Sequence, residues 1–295
     1  MSSDAPSPNQ NQIQSTKNLQ WQLKSRSLHF REGPCVMGIV NVTPDSFSDG
    51  GRHNRPDDAV EHALKLAQQG AGILDIGGES TRPYSDPVAV DEELSRVMPV
   101  IEALVKSTDV PISIDTSKSK VAAAAVAAGA EIINDVTGLE GDPGMIDVAV
   151  NTGAGICAMH MQGNPQTMQV NPEYKDVTNE IMHYLASRKD ALVAAGISPP
   201  KICLDPGIGF GKTHQHNLQL IRDCGQFLQL GCPVLVGHSR KGFLGKLLGD
   251  KTMDRDSATL AVSILLAQQG IQVIRVHEVQ RTCQAMKVLR GVIQS

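Results

Sequence analysis

ISIDTSKSKVAAAAVAAGAEIINDV, residues 112–136, reads as strand, helix, strand. ISID and IIND are short apolar runs rich in β-branched residues, as expected of parallel strands buried on both faces. Between them VAAAAVAAG, from Val121 to Gly129, is nearly all alanine. Such a thin helix packs close against a sheet, and its glycine readily takes the left-handed cap conformation. Both runs also carry side chains suited to chemistry at their ends, Asp115 and Asn134.

Working outward, the same unit recurs. Apolar runs ending in polar or charged clusters stand at MGIVN (37–41), ILDIGGES (73–80), ISIDTS (112–117), IINDV (132–136), ICAMHM (156–161), ICLDPG (202–207), VLVGHSRK (234–241) and VIRVH (273–277). Helical patterns alternate with them over 57–69, 91–107, 118–128, 143–152, 179–195, 215–230, 254–269 and 279–293, several followed by a glycine. A doubly wound open sheet predicts the same alternation. Reactive residues at almost every strand end favour a barrel, because an open sheet gathers its site at one switch point whereas a barrel converges all its tips. The expected architecture is α/β, a single-domain (β/α)8 TIM barrel over residues 21–295, preceded by a disordered polar tail over 1–20.

Composition narrows the function. With 295 residues, 41% hydrophobic and 20% charged, the chain can bury a large core. Its net charge of −4 provides no blanket of positive potential, so an anion must be held by a local cluster and wholesale nucleic-acid binding is not expected. The six cysteines contain no CxxC pair and fit a reducing cytoplasm. Residues 1–20 are rich in Ser, Asn, Gln and Pro and resemble neither a signal peptide nor a membrane span. No later stretch approaches the roughly 18 consecutive apolar residues of a transmembrane helix.

The strand ends carry the chemistry. Asn41 sits where the first run stops and can offer an amide oxygen to a hard cation such as Mg²⁺, which takes one or two protein oxygens together with waters and substrate phosphates. GGESTRP (77–83) presents Thr81 and Arg82, the latter placed to meet an anion. Asp115 and Asp205 end the third and sixth runs; each could instead cap the helix that follows. Together with Asn134 they suit a flat heterocycle with an N–C–N edge, since a carboxylate accepts paired N–H bonds. GIGFGKT (207–213) is not a nucleotide P-loop, because Pro206 stands where that motif needs glycine. GHSRKGF brings Ser239, Arg240 and Lys241, and RVH brings Arg275 and His277 to one face of their strand. Loops after the last two barrel strands are the usual phosphate site of this fold. His160 is either a lining residue or a satisfied core histidine, and Trp21 is expected to pack the start of the domain.

In this order and spacing, MGIVNVTPDSFSDGG, GGESTRP, SIDTSK, IINDV, MHMQGNP, LDPGIGFGK, LVGHSRKGF and IRVH closely resemble the dihydropteroate synthase family from about Val36 to the C-terminus. The resemblance implies a transferase of folate biosynthesis that condenses 6-hydroxymethyl-7,8-dihydropterin diphosphate with 4-aminobenzoate. It implies Asn41 as the Mg²⁺ ligand and Thr81, Asp115, Asn134, Asp205, Lys241, Arg275 and His277 as contacts to the pterin diphosphate. Asp115, Asp205 and Lys241 would be catalytic, Ser239 would receive the aminobenzoate carboxylate, and Phe47 and Pro83 would enclose its ring. Ile208 occupies a position where the family often has an aromatic residue. A homodimer is the expected assembly, with small molecules as partners and no membrane. Two other readings are a pterin-dependent methyltransferase domain on the same barrel and a non-catalytic pterin-binding homologue; the first has no use for a diphosphate clamp.

Overall fold

The computed structural model describes residues 19–43, 55–82, 85–250 and 252–294. The tail expected over 1–20 lies outside them except for its last two residues, and Gln20 is already paired in a strand. Phe47 and Pro83 also lie outside the described residues.

An antiparallel hairpin, β1 (Gln20–Gln22) and β2 (Ser27–His29), precedes the barrel and pairs Trp21 with Leu28. Then follow β3 (Cys35–Asn41), α1 (Arg55–Gln68), β4 (Ile73–Gly77), α2 (Val90–Ser107), β5 (Ile112–Asp115), α3 (Ser119–Ala128), β6 (Ile132–Asp135), α4 (Met145–Thr152), β7 (Gly155–Met159), α5 (Val177–Ala194), β8 (Ile202–Asp205), α6 (His214–Arg222), β9 (Leu235–Gly237), α7 (Gly242–Leu248), α8 (Asp256–Gln268), β10 (Val273–Val276) and α9 (Val279–Gln294). The helix expected over 215–230 is broken in two, ending as α6 at Arg222 and continuing as a 3₁₀ segment over Cys224–Leu230.

Strands β3 to β10 are parallel, in the order β8-β7-β6-β5-β4-β3-β10-β9. The ring closes between β8 and β9 through the bridge Leu204↔Val234, with the Leu204 amide donating to the Pro233 carbonyl at 2.9 Å. This is the expected TIM barrel rather than the open sheet. One alternation of side chains, including Leu74, Ile76, Ile114, Ile133, Ile156, Leu204, Val236 and Ile274, joins the helices in the large outer core. The α3 helix buries Val121, Ala122, Ala125 and Val126, so its alanines bring it close to the strands as its composition predicts.

The opposite alternation fills the lumen. At its floor Met37, Ile73, Ile132, Cys157, Cys203, Leu235 and Val273 pack with Trp21, Leu23 and Phe30 of the hairpin region. Trp21 is fully buried and its indole N–H donates to the Lys201 carbonyl at 3.0 Å, so the hairpin plugs the barrel's N-terminal end. Two residues further along β4, β6, β8 and β10 this apolar layer gives way to Asp75, Asn134, Asp205 and Arg275. One face of each of these four strands therefore begins as plug and ends as site.

Candidate active site

A charge network occupies the barrel mouth. Arg275 on β10 donates from Nε to Asp75 Oδ2 at 2.6 Å and from Nη2 to Asp115 Oδ2 at 2.6 Å. Asn134 Nδ2 donates to the same Asp75 oxygen at 3.2 Å. Three tips are thus joined across the lumen by one guanidinium, whose planar fork suits two carboxylates at once. Asp75 is fully buried and its Oδ1 has no hydrogen-bond partner. Nothing in GGESTRP advertises this residue; its position two before Gly77 on the lumen-facing alternation was the available signal.

The electrostatics of this cluster are poised near neutrality. Burial pushes the Asp115 carboxyl up to about 7, against the pull of Arg275 and with help from Asp75. Burial pushes the Lys241 ammonium down to about 7, opposed by Asp205 and reinforced by the charge of Arg275. Asp205 is also raised by burial, while the Gly207 amide, Lys241, Lys212 and Arg275 favour its ionised form. Arg275 stays charged because Asp75 and Asp115 outweigh its own desolvation. Neither aspartate at a strand end serves as a helix cap: Asp115 is bound to Arg275, and Asp205 Oδ1 accepts from the Gly207 amide at 2.7 Å.

Lys241 donates to the Ile208 carbonyl, and its ammonium lies 4.2 Å from the Phe210 ring centre. This puts tip seven against the glycine loop after β8 and sets Lys241 within the field of Asp205. Ile208 itself is fully buried. Ser239 Oγ and His277 Nδ1 lie 2.9 Å apart, and the His277 amide donates to Ser239 Oγ at 3.2 Å. Burial first, then the charges of Arg240, Arg275 and Arg82, hold the His277 imidazole down at about 3. Arg82 is therefore close enough to be felt, although it is exposed and its side chain makes no hydrogen bond among the described residues. Thr81 is half-buried beside it.

Two expected members stand apart from this network. Asn41, half-buried at the end of β3 beside Gly77, bonds to none of these groups. Arg240 is turned away from the mouth: its guanidinium pairs with Asp256 at 2.7 and 2.9 Å and with Glu278 at 3.5 Å, tying tip seven to α8. Of the SRK triplet, Ser239 and Lys241 face the site. Beneath the second loop, Lys118 bridges Glu79 and the fully buried Glu93 at 2.6 Å each, a clamp that the sequence did not reveal. His160 is buried against Tyr184, ring centres 4.8 Å apart, with Lys212 Nζ 3.1 Å from its Nδ1.

The mouth can therefore accept a flat N–H-rich ring between Asp205, Asp115 and Asn134. An anion would lie between Lys241, Arg275 and His277, since the two Arg275–carboxylate bonds leave Nη1 without a protein partner among the described residues. The chain matches the pterin binding enzyme family over residues 37–277. It is 47% identical to the dihydropteroate synthase of Escherichia coli K12 over 262 residues, covering 89% of this chain and 93% of that one. Among solved structures it resembles Xanthomonas albilineans dihydropteroate synthase with 4-aminobenzoic acid, with a TM-score of 0.88 and 44% identity over 94% of this chain and 98% of that one. Burkholderia cenocepacia dihydropteroate synthase complexed with 7,8-dihydropteroate gives a TM-score of 0.85 and 42% identity over 94% and 97%.

Proposed function

The chain belongs to the pterin-binding enzyme family, on its dihydropteroate synthase branch, and from this premise we propose that it condenses 6-hydroxymethyl-7,8-dihydropterin diphosphate with 4-aminobenzoate, releasing diphosphate. The observation that carries the reading is the guanidinium of Arg275 held between Asp75 and Asp115 at the floor of a mouth that also holds Asn134, Asp205 and Lys241. It joins a carboxylate-lined ring pocket to an anion clamp in one arrangement. A methyltransferase domain would need the first and not the second.

In this reading Asp205, Asp115 and Asn134 hold the N–H edge of the pterin. Lys241, Arg275 and His277 receive the diphosphate, and Thr81 and Arg82 approach from the second loop. The C–O bond to diphosphate breaks with its electron pair leaving on oxygen, and the aminobenzoate nitrogen bonds to the same carbon and then sheds a proton. Carboxylates already pointed at the pterin stabilise positive charge as it develops; at about 4 Å and an effective dielectric near 20, each contributes up to roughly 4 kcal/mol.

The Ser239–His277 pair links the two substrates. A His277 with its proton on Nε2 can donate to diphosphate, but its Nδ1 then accepts the hydrogen bond from the Ser239 hydroxyl. When His277 is protonated on both nitrogens, Ser239 accepts from Nδ1 and its own proton is free for the aminobenzoate carboxylate. Diphosphate charge favours that form.

Mg²⁺ fits the residues present as an ion carried with the diphosphate. Among the described residues no group of three or more His, Cys, Asp or Glu could hold a metal, whereas the single amide oxygen of Asn41 suits an ion that keeps waters and substrate phosphates. When bound, Mg²⁺ neutralises charge on the departing diphosphate.

A homodimer is supported by apolar side chains exposed on the last two helices, Leu265 of α8 and Val288 and Ile293 of α9. Six free thiols favour a reducing compartment, the cytoplasm, and no helix among the described residues is long and apolar enough to cross a membrane. The test is one assay with the pterin diphosphate, 4-aminobenzoate and Mg²⁺. Stoichiometric diphosphate and dihydropteroate support the reading; pterin binding without diphosphate release overturns it.

A further inference from the structure

Tip five and the glycine loop meet around a buried lysine that the mechanism above does not use. Lys212 is 2% exposed. Its Nζ lies 2.8 Å from the Phe210 carbonyl, 3.1 Å from His160 Nδ1 and 3.4 Å from the His160 carbonyl. Burial pushes the Lys212 ammonium well below its ordinary value, with Asp205 pulling it back up; three acceptors match the three N–H bonds of the charged form, one more than a neutral amine offers. The loop backbone curls back to allow this, with Gly207, Gly209 and Gly211 at φ of 69°, 84° and 61°.

The partners are equally committed. The His160 amide continues the barrel ladder by donating to the Asp205 carbonyl at 3.0 Å. Tyr184 and Tyr174 flank its ring, and the Tyr174 hydroxyl donates to the Gly211 carbonyl at 2.9 Å. Burial, with the charge of Lys212, holds the imidazole down at about 3, so its Nδ1 offers a lone pair. The same loop carries the Ile208 carbonyl that accepts from Lys241 and the Phe210 ring beneath that ammonium. A methionine would fill the Lys212 space without desolvating a charge. What lysine adds is a cross-link from the loop to β7 and a positive charge near Asp205.

We propose that Lys212, acting through His160, is a positioning residue for the pterin diphosphate. It staples the glycine loop to tip five and so sets both Asp205 and the groups on which Lys241 rests. This rests on the functional reading above. The charged groups facing Asp205 are Lys241, Lys212 and Arg275, with the Cys157 and Cys224 thiols also close to it. Removing the Lys212 charge leaves Asp205 harder to ionise.

Full-length Lys212→Met, His160→Asn and His160→Leu are compared with the wild type by steady-state kinetics across pH and by calorimetry with the pterin diphosphate. An asparagine amide oxygen can replace Nδ1 as acceptor; leucine cannot. K212M and H160L are expected to lose roughly tenfold to a hundredfold in kcat/KM for the pterin diphosphate, with KM for aminobenzoate changed less than about twofold. The acidic limb of the K212M profile moves to higher pH, and H160N recovers most of the loss. The inference is overturned if K212M only melts earlier with unchanged kinetics, if aminobenzoate is affected equally, or if H160N is no better than H160L. Should K212M not fold, the two His160 variants decide the question alone. Wild-type protein that binds no pterin diphosphate would overturn the functional reading, and the inference with it.

Discussion

Asp75→Asn isolates the role of the buried carboxylate that no strand-tip motif announced. The amide can still accept from Asn134 and from Arg275 Nε, so what disappears is a negative charge whose oxygen lies 2.6 Å from the guanidinium. With charge centres about 4 Å apart and an effective dielectric near 20, that attraction is worth about 4 kcal/mol. Near pH 5 Asp115, raised to about 7, is protonated, so Asp75 is the anion that balances Arg275. Allowing about 1 kcal/mol for the retained neutral hydrogen bond, the variant should then lose about 3 kcal/mol.

At pH 8 the same change should matter less. Asp115 is then ionised and also repels Asp75; across a guanidinium fork, taken as about 6 Å, the repulsion is about 3 kcal/mol, which offsets nearly all of the about 3 kcal/mol left after the retained hydrogen bond is allowed for. Linkage gives the same sign. A carboxyl raised in the folded state stabilises fully below its unfolded value near 4, and that contribution is lost as pH rises through about 7. Asp75→Asn lowers the Asp115 pKa and shrinks that loss. At about 2–4 °C per kcal/mol, melting should fall by about 6–12 °C at pH 5 and by less than about 2 °C at pH 8. The weaker hold on Arg275 should also reduce kcat/KM for the pterin diphosphate roughly tenfold at pH 7. Thermal scans at the two pH values decide it; a deficit that is equal at both, or larger at pH 8, would refute the reasoning.

Asp205→Asn should fold normally and bind aminobenzoate, yet lose up to about a thousandfold in turnover, the kinetic equivalent of about 4 kcal/mol; near-normal kcat with saturating substrates would remove Asp205 from the chemistry. Chelation of divalent ions should suppress diphosphate release and added Mg²⁺ should restore it, with Asn41→Ala raising the Mg²⁺ concentration required; activity indifferent to chelator would count against the ion. Gly207→Ala should cost at least about 2 kcal/mol more than Gly231→Ala in denaturant unfolding, because backbone strain alone contributes only about 1–3 kcal/mol at either. Both glycines have positive φ, 69° and 72°, but a Cβ at Gly207 would lie 1.9 Å from the His160 carbonyl whereas Gly231 has nothing within 4 Å.

The barrel was legible because its strands are buried on both faces and so read as continuous runs: ISID and IIND appear as β5 and β6, ending at Asp115 and Asp135. The tip residues were legible because a side chain that ends an apolar run and begins a loop is an exception to its surroundings. Asp75, Lys212 and the Glu79–Lys118–Glu93 clamp lacked that contrast. Asp75 lies within a strand, where parity alone places it on the face shared with Gly77, and parity becomes chemistry only once the register sets Arg275 across the lumen. Lys212 follows three glycines whose positive φ values turn an apparently exposed GIGFGK segment inward, so a residue that reads as solvated ends 2% exposed. Arg240 fails in the opposite direction. The triplet SRK suggests three mouth-facing groups, but at φ 57° the Arg240 backbone is in the left-handed region and its guanidinium meets Asp256, sixteen residues onward. Side chains at the ends of regular strands inherit their direction from the pleat. Those in irregular backbone take theirs from tertiary partners, as Lys212 and Lys241 do beside Asp205.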